Sequence, residues 1–84
     1  MISRRNRDFK KLFAQLPAEV QALAVKNYAL WKADPWHPSL DFKNHAPSPD
    51  WSVRVGGRYR ALGFMDGNTI VWHWIGTHEA YNKK

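Results

Sequence analysis

Residues 51–75 read WSVRVGGRYRALGFMDGNTIVWHWI, and their pattern sets the fold class. Trp51-Ser52-Val53-Arg54-Val55 alternates apolar with polar, the period of a strand with one covered face. Gly56-Gly57 signals a tight hairpin, and Arg58–Met65 returns from it. Asp66-Gly67-Asn68 makes a second turn before Thr69–Ile75, where β-branched and aromatic residues dominate. The stretch predicts a three-stranded antiparallel meander.

Upstream lie two helical segments. Phe9, Leu12, Phe13 and Leu16 recur at steps of three and four, which gathers them on one helix face. Asn6 or Asp8 is placed to cap the start of that helix. Pro17 ends it and suits the first turn of the next, where Val20, Leu23, Ala24, Tyr28 and Trp31 carry the apolar pattern. Pro35 disfavours helix in the residue before it, so the second helix stops near Ala33–Asp34. The expected fold class is α+β: an N-terminal antiparallel helical hairpin packed on a small twisted antiparallel sheet, one domain spanning residues 1–84.

Between Asp34 and Asp50 the composition changes. Pro35, Pro38, Pro47 and Pro49 fall here with His37, Lys43 and His45. An irregular connection of this length more often carries function than a short loop does. A short strand is expected around Leu40–Lys43.

Eighty-four residues leave no room for a second core, and a hydrophobic fraction of 44% suffices for one. The chain has no cysteine, which excludes disulfides and thiolate metal sites. No apolar run is long enough for a bilayer, and no apolar segment follows the basic N-terminus, so the expectation is a cytoplasmic protein without a membrane partner. Thirteen Lys and Arg against seven Asp and Glu give a net charge of +6. On so small a domain that field attracts polyanions, whether nucleic acid or an acidic protein.

The polar residues of the meander sharpen the choice. A sheet covered by helices on one face leaves its other face for chemistry. With a three-residue loop, Arg54 faces Arg60 across the hairpin, and two adjacent guanidiniums favour an anion between them. With a two-residue loop, Arg54 faces Tyr59 instead. His78 and Tyr81 stand three residues apart, one face of a helical turn, where histidine suits proton transfer and tyrosine suits stacking on a base. The spacing of His37, His45 and His73 fits no zinc motif, so no metal and no cofactor are expected. The five tryptophans read as packing residues.

Four stretches, in order along the chain, resemble the RelE/ParE superfamily of bacterial type II toxins, in particular its HigB-like ribonucleases. They are Phe9–Leu12 through Leu16–Val20; His37–Lys43; Trp51–Val55 with Tyr59–Leu62; and Trp74–Tyr81. The resemblance implies a helical hairpin on a twisted sheet and a cognate antitoxin as partner. It also implies metal-independent cleavage of messenger RNA on the ribosome. In that chemistry a ribose 2′-oxygen attacks the adjacent phosphate, which requires a base, an acid and cations. By position, Arg54 resembles the family's strand arginine at the phosphate, and His78 with Tyr81 its C-terminal catalytic and stacking pair. Lys43 matches the basic residue after the loop, and His45 is a further acid or base. Arg58, Arg60, Lys83 and Lys84 are expected to bind RNA phosphates. The family opens with an edge strand, whereas Met1–Arg5 is short and charged, so that strand is expected to be short or absent. One branch inhibits DNA gyrase without catalysis, and a non-toxic RNA-binding member is a further alternative.

Overall fold

The computed structural model describes residues 1–82. Its elements are β1 (Ile2–Arg5), α1 (Arg7–Ala14), α2 (Ala18–Ala33), β2 (Lys43–Asn44), β3 (Asp50–Arg54), β4 (Tyr59–Asp66), β5 (Thr69–Thr77) and α3 (His78–Asn82), with a 3-10 turn at Pro38–Leu40 before β2. The strands form one five-stranded sheet in the order β1-β5-β4-β3-β2. The three-stranded meander is therefore its centre, and two short strands extend it. β2 lies antiparallel to β3 at Lys43–Asn44, slightly later than expected, because the 3-10 turn takes Leu40.

β1 exists. It runs parallel to β5, with Ile2 opposite Thr69 and Arg5 opposite Trp72. Its charge is compatible with a strand because this is an outer position, where arginines also discourage pairing with another chain. Ser3 and Arg5 face the helices. The Ser3 hydroxyl bonds that of Tyr28, and the Arg5 guanidinium lies 5.9 Å from the Tyr28 ring centre.

The helices obey their local signals. The Asn6 side chain accepts a 2.9 Å hydrogen bond from the amide of Phe9, capping α1. Pro17 immediately precedes α2 rather than occupying its first turn. Gln21 locks the corner by donating to the carbonyls of Phe13 and Leu16 at 3.0 and 3.2 Å. α2 ends at Ala33, with Asp34 as its C-cap beside Pro35.

Phe9, Ala24 and Trp31 of the helices meet Val53, Val55, Ala61, Ile70, Trp72 and Ile75 of the sheet in one core. Each buried side chain of this size contributes about 1.5–3 kcal/mol. The opposite sheet face carries Ser52, Arg54, Arg60, Leu62, Trp74 and Gly76, which neighbour one another by register.

Gly63 packs tightly against two core side chains. A Cβ there would lie 2.9 Å from both Ile70 Cγ1 and Trp72 Cε3. Gly63→Ala should therefore lower stability by roughly 1–3 kcal/mol, read as a lower urea midpoint at unchanged slope.

Candidate RNA-cleavage site

The hairpin register decides which strand residues share the uncovered face. Arg54 pairs with Arg60, and the Val55 amide bonds the Tyr59 carbonyl at 3.0 Å. This is the three-residue loop of Gly56, Gly57 and Arg58. Arg60 continues the row to Gly76 on β5. Arg54 is exposed, so neither the helices nor the loop block it.

Arg60 is held differently. Its side chain is only 14% exposed and donates to Asp41 at 3.1 Å. Lys43 reaches the same carboxylate oxygen at 3.5 Å. Asp41 has a positive φ of 46°, in the left-handed region that aspartate enters more readily than most residues. The Arg60 hydrogen bond, and with it the two nearby cations, keeps the Asp41 carboxyl below its ordinary range near 3.8.

One residue pair further along, His45 crosses over β3. Its Nε2 lies 2.6 Å from the Ser52 hydroxyl, which is fully buried. The Tyr81 hydroxyl stands 2.9 Å from Nδ1 and 3.3 Å from Nε2. Near-equal distances to both ring nitrogens put it over the imidazole rather than in line with one lone pair. Burial holds the His45 pKa below its usual 6.5, and the charges of Lys43 and Arg60 push it further down against Asp50 and Asp41. At neutral pH this imidazole is uncharged, with a ring nitrogen able to accept a proton.

α3 closes the site. The His78 amide donates to the Arg58 carbonyl at 2.7 Å, which ties the helix start to the hairpin. The His78 and Tyr81 ring centres are 6.2 Å apart, as their spacing predicted, and Tyr81 lies 6.3 Å from Trp74. His78 is exposed and Tyr81 half-buried. The face thus gathers a neutral imidazole, a phenol, a second imidazole and three cations.

From residue 18 to residue 83 the sequence matches the model of the ParE-like toxin domain. The chain belongs to the ParE-like toxin family. This toxin domain is also similar in structure to a chain of the RelBE2 toxin–antitoxin complex of Mycobacterium tuberculosis, at 19% identity over 92% of this chain and 90% of that one, TM-score 0.69. A chain of the archaeal RelE–RelB complex of Pyrococcus horikoshii gives 12% identity over 90% and 92%, TM-score 0.71. The YoeB/ParE toxin of Agrobacterium tumefaciens gives 11% over 93% and 99%, TM-score 0.67. At such identities the likeness is one of fold. No curated protein matches the sequence significantly.

Within this toxin domain, Arg54, Arg60, Lys43, His45, His78 and Tyr81 all fall on the uncovered side or its rim. Arg58 is exposed in the hairpin loop. Lys83 and Lys84 lie outside the described residues. Two participants escaped sequence reasoning. Ser52 shares the two-residue period of Arg54, so its face was readable, but nothing pointed to His45 above it. Asp41 gave no signal at all, because its role depends on a loop conformation.

The perturbed groups predict how stability depends on pH. The folded state holds His45 less protonated than the unfolded chain does, so acidification favours unfolding. Stability should fall as pH drops below about 6.5 towards the depressed folded value, and His45→Gln should flatten that part of the curve. Asp41 acts only in more acid solution, where its stabilisation is lost as pH falls from its unfolded value through its lower folded one. Thermal melts from about pH 7 to about pH 5 isolate the histidine. An equal slope in both proteins would contradict the assignment.

Proposed function

We propose that this toxin domain is a metal-independent endoribonuclease that cuts messenger RNA on the ribosome, and that a cognate antitoxin restrains it. The observation carrying this reading is the imidazole of His45 held between the Ser52 and Tyr81 hydroxyls, on the sheet face that also bears the exposed Arg54. In the proposed reaction His45 takes the proton of a ribose 2′-hydroxyl. The 2′-oxygen bonds to the adjacent phosphorus while the bond to the 5′-oxygen breaks, leaving a 2′,3′-cyclic phosphate. His78 delivers a proton to the departing 5′-oxygen, and Arg54 meets the charge that builds on the phosphoryl oxygens. Tyr81 fixes the His45 ring and offers its face to a base. Lys43 supplies charge from the rim, and Arg60 joins Arg54 when phosphate competes with Asp41.

Among the described residues no three His, Asp or Glu side chains converge to hold an ion, and the proposed steps use none. Among those residues, no helix is long and apolar enough to cross a membrane. Support for the antitoxin comes from similar structures that are toxin–antitoxin complexes, among them those of Mycobacterium tuberculosis and Pyrococcus horikoshii.

Expression of the chain alone in bacteria tests the reading. Growth should stop, and new RNA 5′ ends should appear within translated frames. His45→Ala should lower the cleavage rate by about 10²–10⁴-fold, and Arg54→Ala should relieve the arrest while leaving the fold intact. Arrest with intact transcripts and stalled gyrase complexes would replace the nuclease with a gyrase inhibitor.

A further inference from the structure

The uncovered sheet face continues beyond His45 into a patch that the cleavage chemistry does not use. Its rows follow from the register. Arg54, Arg60 and Gly76 form the first row, and Ser52, Leu62 and Trp74 the second. Asp50, Phe64, Val71 and Arg4 form the third. His45 and Tyr81 lie over the second row, so the first and third rows flank them on opposite sides. At about 6.8 Å per residue pair, the third row is roughly 13–14 Å from Arg54.

The third row has an unusual composition for a sheet surface. Phe64 is 37% exposed. His73, the extra residue of the β5 bulge, places its ring 5.7 Å from that of Phe64 with an angle of 36° between the planes. Asp50 accepts from His73 Nε2 at 3.0 Å and fixes the imidazole. Arg4 is exposed at the end of the row and forms no ion pair among the described residues. An oriented aromatic pair beside an unpaired guanidinium offers a base something to stack on and its phosphate a counter-charge.

We propose that Phe64 and His73 form a nucleobase-stacking subsite, with Arg4 binding the neighbouring phosphate of the same single-stranded RNA whose scissile phosphate lies at Arg54. This rests on the nuclease reading and extends it, since it gives the RNA a path across the sheet from β3 towards β1. The net charge of +6 favours this polyanion over an apolar protein segment.

Binding of a short unstructured oligoribonucleotide, followed by fluorescence anisotropy at fixed salt, tests the subsite. Phe64→Ala should weaken binding by about 5–100-fold, and Phe64→Trp should restore it. Arg4→Gln should weaken binding less and flatten its salt dependence. Replacing the bases by abasic residues should remove the difference between wild type and Phe64→Ala. Circular dichroism melts confirm folding, and Phe64→Trp guards against a merely structural effect. Equal affinity of wild type and Phe64→Ala, with Arg54→Ala weakened, would overturn the subsite and leave the nuclease reading standing. Wild type binding no RNA would overturn the subsite, while the mapping of new RNA 5′ ends decides the nuclease reading separately. Unchanged RNA affinity with lost neutralisation by a co-expressed antitoxin would assign the patch to protein instead.

Discussion

Trp31 holds the molecule together at the point where three parts meet. Only 1% exposed, it sets its indole edge-on to Trp72 of β5 at 5.4 Å and to Phe42 at 5.7 Å. The first contact fastens α2 to the sheet. The second fastens the irregular connection to the same core, and Phe42 stands between Asp41 and Lys43. Edge-to-face rings at such distances add about 0.5–1.5 kcal/mol each beyond the area they bury. The connection has little regular structure to fix it, so this anchor and the Trp51 ring 4.9 Å from Phe42 determine where its polar residues stand. Asp41, Lys43 and His45 reach the uncovered face because Phe42 is held in the core.

Charge on that face is arranged unequally. Two arginines opposed across a ladder repel, and the fold relieves this by giving Arg60 to Asp41 while leaving Arg54 exposed. The arrangement has a chemical consequence. Burial lowers the pKa of His45, the cations around it lower it further, which keeps it in the base form, and the carboxylates Asp50 and Asp41 moderate the shift. Removing Asp41 would therefore affect both the arginine row and the imidazole. The carboxylate acts as a counterweight to charges that would otherwise disfavour the folded state.

Much of this was readable from the sequence because it depends on local pattern. The helices and the hairpin turns follow from apolar period, proline position and glycine position, whereas the sequence left Arg54 opposite either Arg60 or Tyr59 until the register chose Arg60. The spacing of His78 and Tyr81 placed both on one helical turn. What escaped depends on long-range contacts. β1 has four residues, two of them arginines, so no alternation announces it, and its pairing with β5 is what makes it a strand. His45 stood as a further acid or base by resemblance alone, and its seat over Ser52 came only with the folded connection. A sequence pattern cannot report which of the two loop histidines, His37 or His45, a buried phenylalanine carries onto the sheet.

The bulge in β5 shows how a single residue can separate packing from chemistry. Strict alternation from the buried Trp72 would send Trp74 inward beneath the helices. Leu62 pairs with Trp74 and Gly63 with Trp72, so His73 is the extra residue and the phase reverses there. Trp74 consequently lies on the uncovered face, against Tyr81 and over Gly76. A Cβ on Gly76 would approach the Trp74 ring to 2.7 Å, so the flat packing of that indole requires a glycine two residues later. Ile75 still returns to the core beside Ala61. One inserted residue thus keeps Trp72 in the core while turning His73 and Trp74 towards the site. Both indoles had read as packing residues, and the bulge makes one of them part of the surface that Tyr81 rests on.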